Sequence, residues 1–414
     1  MLSEEQCKVC DRIIDWFSVN FYKRCKNDRS DYLTIGGYAG TGKTFLIGNI
    51  RKRIEKKLDY KPSVAYCSFT GKAASVLKSK LEESGNLDNS RDFVGTIHRL
   101  MYIPEFIKDK KTGKTSLIRW RKTDYINADL IIIDEASMVN NQLWNDLSSY
   151  GIPIIAVGDH GQLPPVGEEK SNIMIKPHFV LKEVHRQALD SPIIKLSVGV
   201  RNEGFIPYGV YDKTVLKMNW LNQNAKNVFN NINWNEDTIC LCGFNATRVK
   251  LNNYIRNKKQ FTQPDPYPGE RLICLKNNYD TKIMNGQIGT LSWVTMHSKD
   301  LYCMDIKIDN TDSLYSNLVH THCFGKERYD DAYDMISPKK VKTILKKTDY
   351  SSIDLFDFGY AISVHKSQGS EFQKVVLFEQ RSKHWDDEYY SKWLYTAITR
   401  AKEKLLIIGG FNHY

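Results

Sequence analysis

Gly37-Tyr38-Ala39-Gly40-Thr41-Gly42-Lys43-Thr44 fits the phosphate-cradling pattern G-x-x-x-x-G-K-[ST] at every fixed position. In such a loop the glycines let successive backbone N–H groups turn onto phosphate oxygens. The lysine reaches the β- and γ-phosphates, and the hydroxyl joins a Mg²⁺ shell. Gly37, Ala39, Gly40, Thr41 and Gly42 therefore form the expected cradle, with Lys43 on the phosphates and Thr44 on the metal. The flanks agree with this reading. Tyr32-Leu33-Thr34-Ile35 reads as a strand entering the loop, and Phe45 to Ile50 as a helix leaving it with its positive dipole end toward the anion.

The whole chain sets the frame for that loop. Its 414 residues, 41% of them hydrophobic, suffice for about two to four domains. A net charge of +11 favours a polyanionic partner, with a plain solubility surplus as the alternative. Nine cysteines, an odd number scattered through apolar and strand-like stretches, point to reduced thiols in a cytosol-like compartment. Cys7-Lys8-Val9-Cys10 lacks the second pair that a zinc site needs, and His320-Thr321-His322-Cys323 is assigned no metal on the same arithmetic. Without a basic-then-apolar leader or an apolar run of about 18 residues, the chain is expected to be soluble and cytoplasmic, in the host if viral.

Ser3-Glu4-Glu5-Gln6 is a capping box opening a helix with Val9, Ile13, Trp16, Phe17 and Phe21 at helical spacing. Strand candidates at 63–67, 129–133 and 153–157 are near-continuously apolar, which suits a parallel sheet covered on both faces. The αβ rhythm restarts at 237–242, 374–378 and 404–408, so a second α/β domain is expected. Between those pieces, short strands at 269–274, 285–290 and 301–305 predict a small inserted β-barrel, entered at Pro264, Pro266 and Pro268. The basic run Lys339–Lys347 near its exit reads equally as a solvated helix face or a nucleic-acid contact. A β-hairpin is expected at 101–124, where seven Lys/Arg residues between Lys108 and Lys122 surround a Lys-Thr-Gly-Lys turn. Its Phe106 and Trp120 either stack on bases and wedge a duplex or seat the hairpin on the domain below.

The apolar run Ile131-Ile132-Ile133 ends in Asp134-Glu135, placing both carboxylates at the ligand-binding edge of a parallel sheet. Asp134 is expected to hold Mg²⁺, and Glu135 to position and polarise an attacking water. The next strand ends Gly158-Asp159-His160-Gly161-Gln162, where Gln162 is a neutral group suited to sensing a γ-phosphate.

Eight motifs then follow in a recognisable order. They are Gly37–Thr44, Ser68–Ala74, Thr96–Leu100, Asp134–Ser137, Gly158–Pro165, Glu183-Val184-His185-Arg186-Gln187, Ser363–Glu371 and Tyr395–Ala401. In this order the chain resembles the RecD-like group of superfamily 1 helicases. The resemblance implies two RecA-like P-loop domains with parallel sheets, at 1–180 and at 181–262 with 353–414. It also implies that the hairpin is inserted in the first and an SH3-like barrel, 263–352, in the second. It implies that ATP binds between the domains, with Arg186 and Arg400 reaching the γ-phosphate. Glu371 would contact the ribose, and Gln6 would read the adenine edge, although the capping box already explains that residue. Single-stranded DNA would cross Phe69, Thr70, Lys72, Thr96, His98, Ser363, His365 and Lys366. Phe106, Leu117 and Trp120 remain alternative strand-separating residues.

The activity so implied is ATP- and Mg²⁺-dependent 5′-to-3′ unwinding of DNA at single-strand/duplex junctions by a monomer, in company with replication or recombination proteins. An RNA helicase, a translocase that strips bound proteins, and a non-catalytic nucleic-acid module are the alternatives. The intact Lys43, Thr44, Asp134, Glu135 and Arg400 set argues against the last.

Overall fold

The computed structural model describes residues 2–25, 31–108, 115–164, 172–185, 190–234, 238–278, 281, 283–309, 314–329 and 352–410. Two compact units divide it, Met1–Lys195 and Leu196–Tyr414. The first therefore runs past the boundary expected at residue 180. The basic run Lys339–Lys347 lies outside the described residues.

In the first unit the capping box forms, with Ser3 N–H donating to Gln6 Oε1 at 3.0 Å and Gln6 N–H to Ser3 Oγ at 3.3 Å. It opens α1 (Glu4–Cys25), followed by β1 (Tyr32–Gly37), α2 (Lys43–Leu58), β2 (Val64–Ser68), α3 (Gly71–Glu83), β3 (Phe93–Thr96) and α4 (Ile97–Met101). The hairpin strands β4 (Tyr102–Lys108) and β5 (Thr115–Lys122) come next, then β6 (Leu130–Asp134), β7 (Ile154–Gly158) and β8 (Phe179–Leu181). The main sheet has the order β3-β2-β6-β7-β1-β8 and is parallel throughout.

Its strands are apolar on both sides because both sides are covered. Leu130 and Ile132 of β6 join one core with Phe17, Leu46 and Ile50, while Ile131 and Ile133 join the other with Ile97, Leu143 and Trp144. Parallel strands put all their carboxyl ends on one edge, so the segments after β1, β2, β3, β6 and β7 meet there. In the hairpin, Phe106 pairs with Leu117 and Pro104 with Trp120, with a bulge between Glu105 and Phe106. The side chains of Phe106, Leu117 and Trp120 lie outside the described set.

The second unit holds a six-stranded sheet and the barrel. Its strands are β9 (Gly209–Val210), β10 (Val215–Asn219), β11 (Thr238–Cys242), β12 (Arg271–Cys274), β13 (Ile288–Ser298), β14 (Leu301–Ile308), β15 (Leu314–His320), β16 (Ile353–Asp354), β17 (Phe356–Phe358), β18 (Ala361–Ser363), β19 (Phe372–Phe378) and β20 (Ala401–Gly409). The sheet order is β18-β11-β19-β20-β10-β9, parallel except for the short edge strand β9. The barrel order is β16-β15-β14-β13-β12-β17. Ile353–Asp354 pairs with β15 and Phe356–Phe358 with β12, so one segment broken at Leu355 joins both edges and removes them. This closing segment lies beyond the expected barrel limit of 352, and the main sheet resumes at β18.

The barrel is fastened to the helix Asn245–Lys258 by charges that water does not reach. Arg256 Nε donates to Glu270 Oε1 at 2.6 Å, with side-chain exposures of 6% and 0%, and the guanidinium lies 3.8 Å from the Phe358 ring centroid. Removing one partner of such a pair strands the other charge. Glu270→Ala is expected to cost about 3–5 kcal/mol, measured as a loss of urea stability against wild type.

Candidate functional site

The loop after β1 turns because Gly40 and Gly42 hold φ of 80° and 75°. Gly42 is the N-cap of α2 and offers no side-chain cap, leaving the first-turn N–H groups to an anion. Lys43 Nζ donates to the carbonyls of Gly37 and Tyr38 at 2.7 and 3.0 Å and stands 3.9 Å from Asp159 Oδ2. Asp159 is fully buried. Its Oδ1 accepts from Gly161 N at 3.0 Å, and its Oδ2 from Gln162 Nε2 at 3.3 Å. The Gln162 Oε1 is buried with no hydrogen-bond partner among the described residues, an oxygen left available to a ligand or water.

Asp134 ends β6, beside Ser68 of β2, and its Oδ1 accepts the N–H of Glu135 at 3.0 Å. Glu135 itself has φ of 56° and ψ of 39°, a left-handed conformation that costs a non-glycine residue about 1–2 kcal/mol. Such strain at a strand end is found where a side chain must be aimed. A hydroxyl at Thr44 and a carboxylate at Asp134 are hard oxygen donors, the set that suits Mg²⁺.

Gln6 performs two tasks. While its Oε1 closes the capping box, its Nε2 donates to Thr41 O at 3.1 Å and lies 3.0 Å from His185 Nε2. His185 N–H in turn donates to Gly40 O at 3.1 Å. A Cβ on Gly42 would stand 2.5 Å from His185 Nε2 and 2.6 Å from Gln6 Nε2, so both side chains rest directly on the loop. Gly42→Ala is expected to cost about 1–2 kcal/mol in strain and to weaken ATP binding about tenfold by displacing them. Gly85→Ala, at φ of 60° with nothing within 4 Å, should show only the strain, and nucleotide titration separates the two.

Residues 26–168 match the AAA domain family and residues 358–408 the UvrD-like helicase C-terminal domain. The ATP-dependent DNA helicase Pif1 of Campylobacter jejuni is 24% identical over 90% of this chain and 87% of its own length. The ATP-dependent DNA helicase dda of Enterobacteria phage T4 is 26% identical over 92% of this chain and 95% of its own. Over nearly its whole length the chain is thus similar to Pif1/RecD-like superfamily 1 helicases. Its fold is that of a Bacteroides Pif1 helicase crystallised with ADP-AlF3 and single-stranded DNA, at a TM-score of 0.54 and 18% identity, over 98% of this chain and 92% of that one.

The strand candidates of the first unit cluster at the same sheet edge. Thr70 caps α3 by accepting from Ala73 N at 3.2 Å, and Thr96 caps α4 by accepting from Arg99 N at 3.2 Å. The strands that deliver them are neighbours, with Ser68 in register with Thr96. His98 packs between Phe69 and Tyr102, at 6.5 and 5.9 Å between ring centroids, and burial pushes its pKa down, so it is neutral at pH 7. Lys72 lies in the first turn of α3.

In the second unit Ser363 ends β18 and its hydroxyl accepts from Lys366 N at 3.3 Å. His365 Nε2 lies 2.8 Å from the Tyr389 hydroxyl, and burial also lowers its pKa. The Lys366 side chain turns toward the barrel, with its ammonium over the Tyr329 ring. Arg400 is buried, donating to Thr396 O and Ser370 O at 3.0 and 3.2 Å. Glu371 is exposed and pairs with Lys402 at 3.4 Å. Arg186 lies outside the described residues.

Asp159 and His185 carry no role in the motifs quoted from the sequence. Asp159 directly follows the apolar strand β7, much as Asp134 ends β6, so the same signal is present. His185 offers no such pattern, because its contacts run to Gln6 and Gly40, far away in the chain.

Proposed function

We propose that this chain is an ATP-driven DNA helicase that translocates 5′ to 3′ on a single strand and opens the duplex ahead of it. One observation carries this reading. The phosphate loop, the strained Glu135, the half-satisfied Gln162 and two capped helix N-termini all occupy one edge of one parallel sheet.

On ATP binding, Lys43 exchanges the carbonyls of Gly37 and Tyr38 for phosphate oxygens, remaining near the buried charge of Asp159. Gln162, steadied through its Nε2 by Asp159, presents its free Oε1 to the attacking water or its shell. Glu135 orients that water and takes up its proton. Mg²⁺, when held by Thr44 and Asp134, supplies neutralisation of the phosphate charge. The family resemblance assigns Arg186 and Arg400 the role of further positive charge for the γ-phosphate. A planar guanidinium suits this because its fork matches phosphate oxygens. On the strand side, Lys72 and the N–H groups at the starts of α3 and α4 meet phosphates, while Phe69 offers a ring face to a base.

A motor also needs two states that grip the strand differently, since tight binding alone moves nothing. ATP turnover measured with DNA and with RNA oligonucleotides tests the partner. Strong stimulation by DNA and weak stimulation by RNA is expected, and the reverse would reassign the chain to RNA.

A further inference from the structure

Lys366 lies in the segment Ser363–Gly369, where the family resemblance places strand contacts, yet its ammonium is not offered to a strand. It stands over the Tyr329 ring, 5.7 Å from the centroid. The same ring carries the guanidinium of Arg248 at 5.2 Å. Tyr329 follows the barrel strand β15 in the chain and donates its hydroxyl to Asp357 Oδ2 at 2.8 Å.

Asp357 is fully buried on the closing strand β17. It pairs with Arg248 and accepts the N–H groups of Gly325 and Phe358 at 2.8 and 2.7 Å. Arg248 comes from the helix Asn245–Lys258 and also donates to the Lys326 carbonyl. The Lys366 backbone meets the barrel as well. A Cβ on Gly286, in the turn before β13, would lie 3.9 Å from the Lys366 carbonyl.

A lysine that serves a phosphate gains from a hydrated, mobile ammonium that releases counterions when it binds. Here the side chain is half-buried. Burial, with the repulsion of Arg248 added, lowers its pKa, and what offsets the cost is an aromatic face and the nearby Asp357 carboxylate. We propose that Lys366 is a positioning residue that ties the strand-binding segment to the barrel through Tyr329, and is not itself a phosphate ligand. Movement of the barrel is thereby transmitted to Ser363 and His365. The proposal rests on the single-strand motor reading above.

The test is fluorescence anisotropy of a labelled oligothymidine bound to the full chain over a salt series. Lys366→Met and Tyr329→Leu should each weaken binding about tenfold, with the slope of log affinity against log salt unchanged. The double variant should bind no more weakly than either single one. Tyr329→Phe, which keeps the ring, should stay within about twofold of wild type. Thermal unfolding of each variant shows that it is folded, and Lys366→Met alone suffices if Tyr329→Leu is not. A slope shallower by about 0.7 in Lys366→Met would make Lys366 a phosphate ligand and overturn the proposal. Independent, additive losses or no loss at all would also overturn it. A wild-type chain that binds no oligothymidine at low salt would overturn the strand reading itself, and the tether with it.

Discussion

Glu135→Gln is expected to lower DNA-stimulated ATP turnover about 10³-fold while ATP still binds. The substitution keeps the size and left-handed backbone of a residue with φ of 56° and removes only its capacity to take a proton. Lys43→Ala acts earlier. It removes the cation that must move from the Gly37 and Tyr38 carbonyls to the phosphates, so both turnover and nucleotide affinity should fall. Phosphate release and nucleotide titration, run on both variants, separate the two outcomes. Turnover near wild type in Glu135→Gln would remove the carboxylate from the chemistry.

Arg400→Ala is expected to cut turnover by about 10³-fold, the range of an arginine that stabilises charge on a transferring phosphoryl group. The side chain is bound locally to the Thr396 and Ser370 carbonyls, so its loss also removes two buried hydrogen bonds, at about 1–3 kcal/mol. The two effects part under measurement. Arg400→Lys keeps a charge but not the fork, and should restore stability more than turnover. A variant that loses strand affinity while hydrolysing ATP at the wild-type rate would contradict the assigned role.

The fold was legible wherever a short stretch of chain carries a whole physical requirement. Gly40, Gly42, Lys43 and Thr44 are needed together by a phosphate, and Leu130 to Ile133 can be apolar throughout only if both faces are covered. The barrel was legible as a change of rhythm, but its closing segment was not. Ile353–Phe358 is split at Leu355 into pieces of two and three residues, too short for alternation to show. The short β8, which completes the main sheet, escaped for the same reason.

Side-chain destinations were harder to read than elements. Gln6 could be read as a cap from its spacing to Ser3, whereas its hold on Thr41 depends on a fold that brings α1 to the phosphate loop. Lys366 matched a strand-contact motif by position. Its actual neighbours, Tyr329 and Arg248, come from other elements, and no local pattern announces them.

The most direct measurement of the account is ATP-driven strand displacement from DNA duplexes carrying either a 5′ or a 3′ single-stranded tail. The predicted result is displacement from the 5′-tailed duplex that requires hydrolysable ATP and disappears in Glu135→Gln. DNA-stimulated hydrolysis with no displacement from either tail would contradict it.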